Sequence, residues 1–144
     1  MSSEVDQAIQ ELVLRLSGTL EADRATLFIL DRPNNEVWSK FAIGLEISEI
    51  RLPTHRGVVG FVARTGRPLN LKDAYNDPRF NRNTDRQTGY RTKSMLTMPI
   101  TNEAGMVIGV FQALNKSSGL FTPEDEQTMN SYCRDAALLI ERLE

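Results

Sequence analysis

Apolar residues recur with a helical period over the first twenty positions. Val5, Ile9, Leu12 and Leu16 stand at i, i+4, i+7 and i+11, with Glu4, Asp6, Gln7, Gln10 and Glu11 between them. Such spacing predicts one apolar and one polar helix face. Gly18 and Thr19 weaken the end of this helix. The period then changes. Ala25 to Leu30 is a short apolar run rich in strand formers. Asp31-Arg32-Pro33-Asn34-Asn35 has turn chemistry, and Glu36 to Ile43 reads as the return strand of a hairpin. Glu49 to Leu52 alternates and predicts a short third strand. Gly57 to Gly66 has apolar residues at 58, 59, 62 and 63, which suits a short helix closed by Gly66. Leu69 to Leu71 is a brief strand candidate. Residues 72–93 are polar and read as irregular, with a turn of helix near Thr84 to Thr88.

Met95 to Ile100 and Met106 to Leu114 flank Thr101-Asn102-Glu103-Ala104-Gly105 and form the clearest hairpin of the chain. Pro123 to Leu143 is the longest predicted helix. Met129, Tyr132, Cys133, Ala136, Leu139, Ile140 and Leu143 give it a broad apolar face. Its start is well marked: Thr122 is a good N-cap, Pro123 suits the first helical position, and Asp125 completes a near capping box. Helix, hairpin, strand, mixed middle, hairpin and helix predict an α+β layer arrangement, an antiparallel sheet with one face covered by the terminal helices.

Composition narrows the function classes. A chain of 144 residues, 40% hydrophobic and 25% charged, suits one soluble domain with a real core. No apolar run approaches the roughly 20 residues needed to span a bilayer, and the first residues lack signal-peptide character. These features predict a cytoplasmic protein without membrane contact. Cys133 is the single cysteine and His55 the single histidine, which argues against an internal disulfide and a His-rich metal site.

The net charge of −2 conceals an asymmetry. Residues 1–50 carry four Lys/Arg against nine Asp/Glu, residues 51–93 ten against three, and residues 94–144 three against seven. The middle third is therefore electropositive and favours an anionic ligand. Its cations are not interleaved with aromatics in a nucleic-acid-binding pattern, so no nucleic-acid partner is expected.

Three windows carry a family resemblance. The first is Asn115-Lys116, then Phe121, then Asp125-Glu126, in which Lys116 can reach Asp125 and tie the strand exit to the helix start. The second is Asn70-Leu71-Lys72-Asp73-Ala74-Tyr75-Asn76-Asp77-Pro78-Arg79-Phe80, and the third is Asp85-Arg86-Gln87-Thr88-Gly89-Tyr90-Arg91-Thr92. In this order they resemble GAF domains of the cyclic-nucleotide-binding type, as in cyclic-nucleotide phosphodiesterases and bacterial adenylyl cyclases. The resemblance runs over nearly the whole chain. It implies a single GAF domain over 1–144, with connector helices at 1–20 and 123–144. It also implies a six-stranded antiparallel sheet, with the terminal helices on one face and short helices and loops enclosing a pocket on the other.

By the same resemblance, Thr26 lies under the base, Asn81 approaches the phosphate side, and Asp85, Thr88, Thr92 and Gln112 line the pocket. Val58 and Val59 begin a short helix whose free N–H groups favour a phosphate. Asp85 can accept from a ribose hydroxyl or base amine, and the threonine hydroxyls can follow a purine edge. Asn115, Lys116, Phe121, Asp125 and Glu126 are read as structural. Tyr75 and Phe80 are read as core, Asp73 and Asp77 as turn residues.

One departure bears on the ligand. Guanine-binding members carry an aromatic and an acidic residue at the end of the second strand. Alignment puts Ala42 and Ile43 there, so a carboxylate partner for guanine is missing and cAMP is favoured over cGMP. Phe41 could stack on a base if the register slips by one. No catalytic site is expected. The serines lack a nucleophile elbow, and Cys133 falls on an apolar helix face. Relatives that reduce methionine sulfoxide use several cysteines, and bilin binders use a cysteine in the pocket segment. The expected role is a cytoplasmic regulatory module, without cofactor, that binds a cyclic nucleotide and signals to a covalently linked effector domain. A homodimer through the terminal helices is expected, with the stripe at 5, 9, 12 and 16 as seam. The alternative is a GAF-type dimerisation module without ligand.

Overall fold

Strand segments of period two, joined by tight turns, build one sheet. The computed structural model describes residues 3–43, 50–80, 82, 89–117 and 119–143. Helix α1 (Ser3–Leu20) leads into strands β1 (Ala22–Asp31) and β2 (Glu36–Ala42), linked by a 3-10 turn at Arg32–Asn34 with Pro33 in its first turn. Strand β3 (Arg51–Pro53), helix α2 (Gly57–Thr65), strand β4 (Leu69–Leu71) and a 3-10 turn at Ala74–Asn76 follow. Strands β5 (Met95–Thr101) and β6 (Val107–Lys116) form the second hairpin, and helix α3 (Pro123–Ile140) completes the fold. The sheet order is β3-β2-β1-β6-β5-β4, with every pairing antiparallel. The α+β class, the sheet and the helical cover agree with the expected fold. The helical turn expected near Thr84 to Thr88 lies outside the described residues.

Both terminal helices lie on one face. Leu27, Leu96, Ile100 and Phe111 of the sheet meet Ile9, Val13 and Leu16 of α1 and Met129, Cys133 and Ala136 of α3 in one apolar cluster. The helices also touch each other, with the Arg15 guanidinium 5.9 Å from the Tyr132 ring centre. Here the seam expectation is corrected. Val5, Ile9, Leu12 and Leu16 are all buried inside the protomer, none more than 6% exposed. Six strands are wide enough to cover both stripes side by side. The apolar residues that face outward on these helices are Leu14 and Leu138.

Helix α3 starts where its sequence predicts. The Thr122 hydroxyl accepts from the Asp125 backbone N–H, and the Asp125 carboxylate accepts from the Thr122 N–H, closing the capping box. Helix α2 ends at Gly66, whose φ of 71° is the left-handed conformation that a glycine adopts without Cβ strain.

The β1–β2 ladder contains a bulge. Leu27 pairs with Phe41 but Phe28 pairs with Ser39, so Lys40 has no opposite residue. The extra residue keeps Phe41 on the helix side, where it packs against the helix cluster with Ile43. The possibility that Phe41 stacks on a base is therefore overturned. Ala42 pairs with Thr26, and directly opposed residues share a face.

The other face is covered by α2. Val59, Val62 and Ala63 pack on Phe28, Val37 and Val110, while Val58 joins Leu71, Ala74 and Met95. Tyr75, expected in the core, is only half-buried. The Arg91 guanidinium lies 4.3 Å from its ring centre. Among the described residues no helix is long and apolar enough to cross a membrane.

Candidate functional site

Residues two apart on a strand share a face. On the α2 side this places Arg24, Thr26 and Phe28 of β1 beside Gln112 and Leu114 of β6, and all five line one cavity. Thr26 and Gln112 are register partners on its floor. Thr97 stands opposite Gln112 on β5, and its hydroxyl accepts a 3.1 Å hydrogen bond from Gln112 Nε2. The space at the cavity, with the open solvent at its mouth included, is about 820 Å³. Its walls are mostly apolar, with Ile50, Leu52, Phe80 and Met95 among them.

One wall is the start of α2, with Gly57, Val58 and Val59 lining the cavity. The Arg56 side chain makes no capping hydrogen bond to this helix. The positive end of the helix, where backbone N–H groups have no partner within the helix, meets the cavity. Arg56 and Arg24 add two cations, and no Asp or Glu is among the described lining residues. Such a lining favours an anion with an apolar or planar body.

Five of the residues expected to touch ligand come together here: Thr26, Val58, Val59, Thr92 and Gln112. Asn81, Asp85 and Thr88 lie outside the described residues. Arg24, Arg56 and Tyr90 line the cavity although the sequence reading assigned them no contact. Arg24 was findable, because it precedes Thr26 by two on the same strand. Tyr90 has no periodic signal, since it lies in an irregular stretch.

Tyr90 is held from three sides. The Arg24 guanidinium lies 3.6 Å from its ring centre, a cation–π distance. Its hydroxyl donates to Asp23 Oδ2 at 2.6 Å and accepts from Asn115 Nδ2 at 2.9 Å. Burial first, then Asp23, hold the phenol well above its ordinary range, against the opposing pull of Asn115 and Arg24.

None of the residues of the 115–126 motif lines the cavity. Asn115, in the left-handed region at φ 57°, fastens β6 to the segment before β5. Lys116 Nζ lies 2.8 Å from Asp125 Oδ2 and donates to the Leu20 carbonyl at 3.0 Å. One ammonium thus joins the end of α1 to the start of α3. Phe121 is buried, and its carbonyl and the Glu126 carboxylate both accept from Asn70 Nδ2 at 2.9 Å. Burial alone would raise the Asp125 pKa. The hydrogen bonds from Lys116 and the Thr122 backbone, with the Lys116 charge, outweigh burial and hold it below the ordinary carboxylate value.

Cys133 is buried among apolar side chains, and burial pushes its thiol up to about 12, which leaves it protonated and a poor nucleophile. His55 is exposed in the turn before α2. Among the described residues no group of three or more His, Cys, Asp or Glu is placed to hold a metal ion.

The family model of the GAF domain matches residues 4–140, which span the sheet, both terminal helices and α2. The chain belongs to the GAF domain family. Two curated relatives are 40% identical. One is the dual 3′,5′-cyclic-AMP and -GMP phosphodiesterase 11A of Takifugu rubripes, aligned over 78% of this chain and 14% of the relative. The other is the probable 3′,5′-cyclic phosphodiesterase pde-5 of Caenorhabditis elegans, over 89% of this chain and 19% of the relative. This GAF domain thus spans less than a fifth of either relative.

Among solved structures, the GAF domain of a phosphoenolpyruvate-protein phosphotransferase from Coxiella burnetii is similar at a TM-score of 0.86. It is 27% identical and covers 95% of this chain and 82% of its own. A free methionine-R-sulfoxide reductase from Thermoplasma acidophilum superposes at 0.83 with 16% identity, covering 97% and 94% of the two chains. That likeness concerns the fold alone.

Proposed function

We propose that this GAF domain is a regulatory module that binds a 3′,5′-cyclic nucleotide and acts on an effector domain in a longer protein. The observation that carries this reading is the cavity lining. Two arginines and an uncapped helix start face a space floored by Thr26 and Gln112, and no described lining residue is a carboxylate. A cyclic nucleotide offers one phosphate charge, a hydroxyl and a planar base, and the lining supplies a complement for each kind of group. The two phosphodiesterase relatives support the same ligand class. Asp85 and Thr88 are part of this proposal, as ribose or base partners.

Base preference follows from β2. Ala42, opposite Thr26, brings no carboxylate to pair with the guanine N1–H and amine. The reading is therefore cAMP at least as tightly bound as cGMP. Self-association through the terminal helices belongs to the proposal too, but through outward residues such as Leu14 and Leu138 and not the buried stripe.

Calorimetric titration of the purified domain with cAMP and cGMP is the test. Saturable one-site binding of cAMP, with cGMP equal or weaker, is expected. A clear preference for cGMP overturns the base assignment, and no heat with either nucleotide overturns the ligand class.

A further inference from the structure

Gly60 breaks a local rule. It stands inside α2, where Ala is the better helix former, and such conflicts concentrate where function or close packing demands them. The demand here is space. A Cβ on Gly60 would lie 2.8 Å from the Pro53 carbonyl oxygen and 2.9 Å from that of Thr54. Both are backbone atoms and cannot rotate away. Gly60 and Pro53 also line the cavity, so bare helix backbone closes it against the exit of β3. The segment that α2 rests on is itself fixed. The Thr54 N–H and hydroxyl both donate to the Asn35 carbonyl, at 2.9 and 3.1 Å. The Arg64 guanidinium, one helical turn beyond Gly60, donates to the Thr54 carbonyl. Thr54 is thus held between α2 and the turn after β1.

We propose that Gly60 is a positioning residue of the cavity: its missing side chain sets how closely α2 approaches β3, and with it where the first turn of α2 meets an anionic ligand. Any Cβ must move from 2.8 Å to the ordinary contact distance of 3.4 Å, a shift of about 0.6 Å. The nine residues of α2 form one short rod, so such a shift carries Val58 and Val59 with it. Both line the cavity. A displacement of that size takes a hydrogen bond of about 2.9 Å to the limit of its range. This inference rests on the cyclic-nucleotide reading above and deepens it.

The test is Gly60→Ala, titrated calorimetrically with cAMP, with urea unfolding measured alongside. Binding is expected to weaken about tenfold, the scale of one impaired charge-assisted hydrogen bond. Stability is expected to change less, because the gain in helix propensity offsets part of the crowding. Arg64→Met cuts the side-chain tie to Thr54 from a position that does not line the cavity. It is expected to weaken cAMP binding about two- to fivefold. Phe111→Ala is the control. It destabilises the domain from the helix side, away from the cavity lining, and is expected to keep its affinity wherever it is folded.

If the unsubstituted domain binds cAMP and Gly60→Ala matches it, the positioning role is overturned while the ligand reading stands. If Phe111→Ala loses as much affinity as Gly60→Ala, binding merely follows stability, and the role is overturned as well. If Gly60→Ala does not fold, Arg64→Met decides alone, and unchanged affinity in it overturns the role. If the unsubstituted domain binds neither cAMP nor cGMP, the ligand reading fails and the positioning role with it.

Discussion

The two faces of the sheet differ although the same strands build both. On the helix side, β1, β5 and β6 present Ala25, Leu27, Leu96, Met98, Ile100, Phe111 and Ala113, all apolar and all buried. On the α2 side, the strands carry Thr26, Ser39, Thr97 and Gln112, which are also buried. The polar groups on that side are served locally. Gln112 donates to Thr97, and the Ser39 hydroxyl accepts from the Ile50 backbone at 2.7 Å. A packed apolar face needs no polar partners and resists change at any position. The α2 face keeps hydrogen-bonding capacity next to a cavity, at the cost of some packing. The difference separates stability from recognition onto opposite sides of a single residue spacing.

Adjacent residues 111 and 112 allow that separation to be broken. Phe111→Ala opens a void among α1, α3 and the sheet and is expected to cost about 3–5 kcal/mol of stability, read as a lower denaturation midpoint in urea. Nucleotide affinity, measured where the variant is still folded, should change little. A loss below about 1 kcal/mol would show that the helix side is not packed as described.

The junction between the faces should respond to pH. Asp125→Asn removes the charge that meets Lys116 while leaving a capping-competent side chain. About 1–3 kcal/mol is expected at neutral pH. The Asp125 pKa is lowered in the folded protein. Its contribution is therefore present above the unfolded value, roughly 4, and disappears as pH falls through the lower folded value. The unfolding curves of the variant and the parent should converge in acid. A gap that stays constant from pH 7 down to pH 2 would remove the charge from the explanation.

The smallest stability effect is expected at Gln112→Leu. The variant loses the bond to Thr97 but gains apolar burial, so the net change should stay within about 1 kcal/mol. cAMP affinity should nevertheless fall, because Leu cannot present an amide at the cavity floor. A stability loss as large as that of Phe111→Ala would erase the contrast between the faces.

Local sequence was sufficient wherever a short-range rule governs the backbone. Apolar runs on either side of turn residues marked both hairpins, Thr122-Pro123 with Asp125 marked the start of α3, and Gly66 marked the end of α2, because turn chemistry, capping and left-handed glycine act within a few residues. The 115–126 spacing likewise pointed to Lys116 meeting Asp125. Three features depended on contacts between segments far apart in the chain. The bulge at Lys40 decides that Phe41 faces the helices and Ala42 faces Thr26, and an extra unpaired residue leaves no trace in an alternation pattern. The stripe at Val5, Ile9, Leu12 and Leu16 told which helix face is apolar but not what covers it; the width of the sheet, shared with α3, decides that it is buried within the protomer. Asn115 as the hub beneath Tyr90 was legible only as a motif letter, since its partners at 90, 91, 93 and 94 come from an irregular segment that periodicity does not describe and that tertiary contacts bring beside the end of β6.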